Sequence, residues 1–342
     1  MRGRLLGWTQ YESLLHQETL EGLVEAFNTS PYARTLEHTI AALDPTQPSR
    51  TIVRIDEALR RDLVQSLAKL RHFFSNHSLE LVNALVLRWD VYNLKTVIRG
   101  KRASAQVEEI LTATLPVGIL DDIALAELAR VSTVQAVAGT LETWRLPLAR
   151  PVRTGLNLLG GAESLHPLEC ELDRFTFVQT AKLVANGDDD TLAVRNYLQF
   201  LVDKTNLLTA LRYLAERSAL LPIEAGRQFL KAEGRLTRSH YEAVVSAHDL
   251  RDGLSRLTET PYRWLAGTFA EGETISLPLI ERKLDRMAIR KAVSLSRPDP
   301  LGIGMAIAYL EQKTNEVRNL RVILRGKALG MGVEQIAEWV IV

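Results

Sequence analysis

Apolar residues recur along this chain at the spacing of α-helices. Val82, Leu85, Val86 and Trp89 occupy positions i, i+3, i+4 and i+7, and the segment 59–74 continues the same spacing. Runs that alternate polar and apolar residues and are rich in Val, Ile and Thr, as strands are, are scarce. The pattern therefore predicts an all-α fold in which each apolar face needs a packing partner.

Segments that carry Pro or Gly interrupt the helical pattern, and we expect them to be turns. They lie at residues 44–48, 160–161, 186–187, 272 and 298–300. The longest apolar run, Leu301–Leu310, ends at Glu311 and is far shorter than the roughly 20 residues that span a bilayer. We therefore expect this run to form a core helix.

A short pattern occurs three times along the chain. It consists of an acid, two residues, Asn-Leu, three residues, Ile or Leu, and Arg, and it begins at Asp90, Asp203 and Glu316. Its three asparagines are equally spaced, and the interval is close to one third of the 342-residue chain. Such a spacing predicts that the chain is a triplication of one unit.

Two further marks lie upstream of each copy in nearly the same register. The first is an acid followed by a Leu-Asp-Arg-like triplet: Asp56 with Leu59-Arg60-Arg61, Glu169 with Leu172-Asp173-Arg174, and Glu281 with Leu284-Asp285-Arg286. The second mark is weaker: Ser30-Pro-Tyr32, Glu142-Thr-Trp144 and Thr260-Pro-Tyr262. We predict three homologous helical repeats with interleaved elements, at about residues 1–115, 116–228 and 229–342.

A unit of this length is longer than ordinary solenoid repeats, so each copy should be a small helical bundle. Three like units joined by like interfaces form either an open arc or a closed pseudo-threefold ring. A closed ring would leave an axial hollow.

Composition and charge exclude several classes of function. The chain is 46% apolar and 24% charged, and 42 Lys and Arg against 41 Asp and Glu leave a formal charge of +1. No overall basic field favours nucleic acid as a partner. The single cysteine, Cys170, excludes an intramolecular disulfide and any multi-cysteine metal site, which suits the cytosol.

Motifs that carry catalysis or bind cofactors are not found. The seven histidines include no pair at i, i+4 and no HExxH, and the sequence has no GxSxG. The Gly-Lys pairs at 100–101 and 326–327 lack the rest of a phosphate loop, so we expect their glycines to be helix C-caps. Asp188-Asp-Asp190 is expected to be a turn and helix N-cap, and Gly302-Ile-Gly304 a site of close helix packing. Glu169 and Glu171 flank Cys170 and should raise its pKa. We predict no catalytic residue, cofactor or metal site.

The cationic ends of the first and third motif helices are candidates for contact with an acidic partner. These residues are Arg99, Lys101, Arg325 and Lys327. The recurring acid and Asn have a simpler explanation, because they could bond to neighbouring groups within each repeat.

The sequence resembles the C subunits of archaeal and bacterial A/V-type ATPases, whose counterpart in the vacuolar enzyme is the d subunit. The resemblance rests on the three Asn-Leu helices and on the segments 299–310, 316–327 and 332–336, and it covers essentially the whole chain. One departure is that Tyr213-Leu214 follow the motif in the second repeat, where the other repeats have Gly-Lys.

The resemblance implies a funnel of three helical bundles with pseudo-threefold symmetry. It also implies a non-catalytic central-stalk subunit that joins the shaft subunits of D and F type to the membrane proteolipid c-ring. Such a subunit is peripheral, lies at the cytoplasmic face, transmits torque for proton or sodium transport, and needs no cofactor, nucleic acid or small-molecule substrate. The alternative is a free-standing all-α scaffold or adaptor.

Overall fold

Every regular element in the described part of the chain is a helix, so the predicted all-α fold is confirmed. The computed structural model describes residues 5–41, 48–159, 165–185, 187–215, 226, 228–270 and 272–342. The turns predicted at 44–47, 160–161 and 186 lie outside these residues.

Long helices alternate with groups of short ones. In chain order the helices are α1 (Trp8–Leu15), α2 (Leu20–Asn28), α3 (Ala33–Ala41), α4 (Pro48–Leu70), α5 (Asn76–Arg102), α6 (Val107–Thr112), α7 (Asp122–Arg130), α8 (Val134–Thr143), α9 (Ala149–Leu159), α10 (His166–Leu183), α11 (Asp189–Ala215), α12 (Arg238–Val245), α13 (Leu250–Ser255), α14 (Arg263–Ala266), α15 (Leu277–Leu295), α16 (Ile303–Ala328) and α17 (Val333–Trp339). A 3₁₀ turn, Arg71–Phe73, connects α4 with α5.

The long helices follow one another in three consecutive pairs, which we call hairpins because a short connection joins each pair: α4 with α5, α10 with α11, and α15 with α16. Within them α10 packs on α11 and α15 packs on α16. Each of the three recurring motifs lies in the second helix of its hairpin. Neighbouring hairpins also touch, since α10 packs on α5, α15 packs on α11, and α4 packs on α16. The last of these contacts joins the end of the chain to its beginning.

The short helices bury the apolar faces of the hairpins in three cores. One core joins α5 and α10 to α6–α9, and a second joins α11 and α15 to α12–α14. The third joins α4 and α16 to α1–α3 and α17, and it includes the first halves of α5 and α11. Each core thus draws its long helices from at least two hairpins, which joins neighbouring hairpins by hydrophobic burial.

Helices α15 and α16 pack unusually closely at Gly304. A Cβ atom added to this glycine would lie 2.0 Å from the carbonyl oxygen of Leu295, so no larger residue fits. The close packing expected at Gly304 is confirmed. The apolar run 301–310 begins just before α16, and most of its residues are buried, as expected of a core helix. No helix among the described residues is long and apolar enough to cross a membrane.

The ends of α5 and α16 correct one expectation. Gly100 and Gly326 lie inside the helices, where a Cβ would collide with the side chains of Ile110 and Ile336. They are sites of close packing and not the predicted C-caps. The helices end instead in Schellman turns, in which Ser104 (φ 55°) and Gly330 (φ 68°) adopt the left-handed conformation.

Candidate functional site

The motif asparagines fasten distant loop segments to the long helices. Each buried side chain accepts a hydrogen bond from a backbone N–H and donates one to the carbonyl of the same residue, at distances of 2.7–3.2 Å. The three pairs are Asn93 with Leu115, Asn206 with Leu230, and Asn319 with Ile341. Because a side-chain amide matches a backbone amide in both donor and acceptor, each clamp satisfies two buried polar groups.

The motif acids bind backbone N–H groups, which in the first two copies lie a few residues after the segments held by the asparagines. Asp90 accepts from the N–H groups of Ile119 and Leu120 at 3.1 and 2.9 Å. Asp203 accepts from Arg235 and Leu236 at 3.0 and 2.8 Å. In the third copy Glu316 accepts from the N–H of Leu6, near the start of the chain. We call these three contacts of the motif acids junctions. They follow one another in a closed order, because the third returns from the last motif to the start of the chain.

Two glycines let the backbone approach the carboxylates this closely. A Cβ on Gly118 would lie 2.0 Å from Oδ2 of Asp90, and one on Gly234 would lie 2.3 Å from Oδ1 of Asp203. The sequence contains a signal for this role: the two glycines follow their acids at similar distances along the chain.

Burial of the Asp90 carboxylate has a consequence for stability. Burial raises its pKa to about 6, although the two backbone N–H groups and Arg71 favour the ionised form. The folded state therefore binds more protons than the unfolded state between about pH 4 and pH 6, and Asp90 contributes more to stability as the pH falls through this window.

We expect wild-type stability, measured against Asp90→Asn, to increase by about 2 kcal/mol between pH 7 and pH 4.5. Urea unfolding of both proteins at several pH values measures this difference, and the uncharged variant serves as the reference for all other titrating groups. A difference that does not change with pH would contradict the raised pKa.

A ring of ion pairs accompanies the clamps on the long helices. The last arginine of each motif pairs with the upstream acid of the following repeat: Arg99 with Glu169 at 2.6 Å, Arg212 with Glu281 at 3.6 Å, and Arg325 with Asp56 at 3.9 Å. The arginine side chains are 51–66% exposed, so each pair contributes little free energy. The order of the pairs is again closed, because the third arginine returns to the first repeat.

The junction between the third and first repeats contains a buried charged cluster. Lys313 is 3% exposed, and its Nζ lies 3.0 Å from Glu316, 2.7 Å from Asp62 and 2.8 Å from the hydroxyl of Tyr32. That hydroxyl donates to Glu316 at 2.6 Å. Burial opposes the ammonium charge of Lys313, but the two carboxylates outweigh it and raise its pKa.

Tyr262 plays the role of Tyr32 at the second junction. Its hydroxyl donates to Asp203 at 2.8 Å. Both tyrosines lie at the same distance along the chain after the amide that binds their acid, and the residue at that position in the middle repeat is Leu146. The structural equivalent is therefore not Trp144, and no tyrosine among the described residues bonds to Asp90.

The first turns of the three long motif helices meet. Asp190, in the first turn of α11, accepts from the hydroxyl of Ser78 in α5 at 2.8 Å and from the N–H of Ile303 in α16 at 2.9 Å. Asp188 accepts from both the N–H and the hydroxyl of Thr191, which confirms the predicted N-cap. Acidic side chains thus face three positive helix ends.

A second contact joins the same helices further along. Arg88 of α5 pairs with Glu311 of α16 at 2.5 Å, and both interact with the hydroxyl of Tyr197 in α11. Burial, and after it the charge of Glu311, raise the pKa of Tyr197 well above its usual value. Towards their C-terminal ends these helices contact α4, α10 and α15 instead, through the ion pairs of the motif arginines.

A cavity of about 420 Å³ opens between α5, α10 and α11. Its wall is rich in charge, and much of that charge is paired across helices: Lys95 contacts Asp173 at 2.5 Å, and Lys204 contacts Asp285. Because the wall of this cavity carries paired charges, it has the character of a solvent-facing surface and not of a hydrophobic core.

The thiol of Cys170 lines this cavity. Burial, and after it the carboxylate of Asp173, raise the pKa of the thiol to about 11. The predicted direction is confirmed, but burial is the larger cause, and Glu171 pairs with Arg174 at 2.9 Å instead. No group of three metal-binding side chains occurs among the residues that the structure describes.

The four candidate contact residues lie at the C-terminal ends of α5 and α16. Arg99 and Arg325 form the ion pairs described above and keep most of their side chains exposed. Lys101 donates to the carbonyl of Ala129. Burial lowers the pKa of Lys327, although Glu18 opposes the shift. Contact of these residues with a partner stays a prediction.

Together these observations define an all-α protein in which the polar residues of a motif that occurs three times fasten distant segments of the chain to its long helices. The chain belongs to the family of ATP synthase (C/AC39) subunits, whose match covers residues 1–339. Its relatives include the A-type ATP synthase C subunits of Methanosarcina acetivorans, Thermococcus kodakarensis and Pyrococcus abyssi, which are 29%, 24% and 25% identical. These alignments cover 84%, 99% and 99% of this chain and 77%, 87% and 87% of the relatives.

Proposed function

We propose that this chain is a non-catalytic central-stalk subunit of a rotary A/V-type ATPase. In this role it is a pseudo-threefold funnel, built from repeats at about residues 1–115, 116–228 and 229–342. Its hollow holds the end of a shaft made of D- and F-type subunits, and its closed end rests on the membrane c-ring at the cytoplasmic face. The family and the names of its relatives support membership of such a complex.

One observation supports the proposed funnel architecture most directly: the three junctions follow a closed order. Asp90 and Asp203, together with the ion pairs of the motif arginines, link the first repeat to the second and the second to the third, and the bond between Glu316 and Leu6 links the third to the first. The motif helices meet in their first turns and contact other helices at their C-terminal ends, as expected of helices that diverge along the wall of a funnel.

Transmission of torque requires that the wall keep its shape under load. Each junction combines a buried core with hydrogen bonds that hold two chain segments at one position, and densely packed interiors are nearly incompressible. Ion pairing across the cavity wall adds cross-links between neighbouring helices.

The first experiment is purification of the tagged chain from gently solubilised membranes of its host. The proposed function predicts that head, shaft and proteolipid subunits co-elute with ATPase activity. If the chain elutes alone or with unrelated proteins, from cells that express the ATPase, the scaffold alternative is correct instead.

A second experiment concerns Arg99, Lys101, Arg325 and Lys327, which we propose to contact the partner subunits. Charge reversal at Lys101 and Lys327 should weaken assembly of the complex. At Arg99 the double change Arg99→Glu with Glu169→Arg keeps an internal ion pair and serves as the control. If assembly survives the double change but fails in Arg99→Glu alone, Arg99 has an internal structural role. If assembly survives every reversal, none of the four residues contacts a partner subunit.

A further inference from the structure

Three arginines follow one another along α15 without an acidic partner. Arg282, Arg286 and Arg290 are spaced by four residues, which separates successive charges by about 6 Å along the helix. None of them forms an ion pair within the described part of the chain, and the Nε of Arg286 is buried without a hydrogen-bond partner. Burial, and after it the charges of Arg282 and Arg290, lower the pKa of Arg286. We call these residues the arginine row.

The other two repeats neutralise the same position. Arg61 and Arg174 are the equivalents of Arg286, because each ends the Leu-Asp-Arg-like triplet of its repeat. Arg61 pairs with Glu57 at 3.0 Å, and Arg174 pairs with Glu171 at 2.9 Å. The third repeat has Arg282 where the first has Glu57, so the sequence has replaced attraction by repulsion at this one position.

The arginine row lies on the side of α15 that faces away from its bundle. Ile280, Leu284 and Ala288 pack into the core shared with α12–α14. Each arginine follows one of these residues by two positions, a rotation of about 200° around the helix, and therefore occupies the opposite face. Cys170, the equivalent of Arg282 in α10, lines the cavity. By this equivalence Arg282 lies at the third wall of the hollow, and Arg286 and Arg290 continue the row from it along the face that points away from the core.

We infer that the arginine row binds an acidic face of the shaft end that enters the hollow, and that it selects one of three rotational settings. This inference rests on the proposed function. A socket with three equivalent walls accepts a shaft at three equivalent angles, and a charge carried by one wall removes that equivalence. Carboxylates at i and i+4 of a partner helix match the spacing of the row and relieve the repulsion within it.

Affinity for the shaft tests the charge requirement. Purified D- and F-type subunits from the same host are titrated with the wild-type chain and with Arg286→Glu, Arg61→Glu and Arg174→Glu. We expect Arg286→Glu to raise Kd at least tenfold and to weaken the dependence of Kd on salt, while the two equivalents change Kd less than about threefold. Circular dichroism and urea unfolding establish that each variant folds.

The native Cys170 tests the rotational setting. The wild-type chain carries no other thiol, so a benzophenone maleimide used at neutral pH, where it does not react with lysine, labels this one wall, although the raised pKa of the thiol slows the reaction. In the complex with the wild-type chain, photocrosslinking should reach a single peptide of the shaft. With Arg286→Glu, at concentrations that restore binding, crosslinks should spread over peptides from three faces of the shaft.

Four outcomes would overturn the inference. Equal effects of the three reversals would leave the socket intact but remove the role of the arginine row, as would wild-type crosslinks spread over three faces. Loss of binding to phosphatidylserine vesicles in Arg286→Glu, with unchanged shaft affinity, would identify an anionic lipid surface instead. A wild-type chain that does not bind the shaft would refute the proposed function and the inference together.

Discussion

Replacement of Lys313 by methionine is expected to lower the free energy of unfolding by about 3–5 kcal/mol. The reason lies in what the substitution leaves behind, because Glu316 and Asp62 would face each other at a buried site without the ammonium group that lies 3.0 and 2.7 Å away. Methionine fills a similar volume, so packing alone cannot account for a loss of this size. Urea unfolding monitored by circular dichroism measures it.

Lys204→Met is the matched control. Lys204 is 21% exposed, and its partner Asp285 keeps a second cation in Arg318, so the loss should stay below about 1 kcal/mol. Hydrogen exchange adds a spatial readout: in Lys313→Met, residues 5–36 should exchange faster, since Leu6 and Tyr32 are held by Glu316. Equal losses in the two variants would show that the buried cluster has no special role.

Gly304→Ala is expected to destabilise the protein by about 3 kcal/mol or to prevent folding. The new Cβ would lie 2.0 Å from a backbone oxygen of α15, and a backbone atom cannot rotate away as a side chain can. The helices must separate, and the apolar residues of α16 around the glycine then lose their contacts. Thermal unfolding measures the loss.

Gly139→Ala provides the control for the intrinsic effect of alanine in a helix. Gly139 lies within α8 and a Cβ there would have no neighbour within 4 Å, so alanine should stabilise the protein by about 0.5–1 kcal/mol. Opposite signs at the two glycines would attribute the loss to the contact with Leu295. A stable Gly304→Ala protein would mean that α15 and α16 pack less tightly than described.

The sequence predicted the repeat and its helices because both are local patterns. Periodic apolar residues predict helices, and the equal spacing of three asparagines predicts three units without any knowledge of their contacts. The hydrogen-bond partners were beyond such reasoning. Asn319 binds Ile341 across α17, and no rule of spacing specifies which turn of a loop reaches the side chain.

The buried cluster was missed for a similar reason. The i, i+3 pair of Lys313 and Glu316 is visible in the sequence, but it resembles many exposed helix pairs. Its partners Tyr32 and Asp62 come from the other end of the chain, and only the closed order of the units brings them together. The weak match between Tyr32 and Tyr262 was the one hint in the sequence, since both hydroxyls donate hydrogen bonds to motif acids.

The segments around Leu6 and Ile341 are bound one turn apart on α16, by Glu316 and Asn319. The covalent chain therefore passes through two of the three junctions and is replaced by side-chain bonds at the third. A circularly permuted chain, joined across this point and opened between Leu115 and Ile119, would retain the same bonds at every junction. We therefore expect the permuted chain to fold, because the cyclic succession of its packed segments would be unchanged.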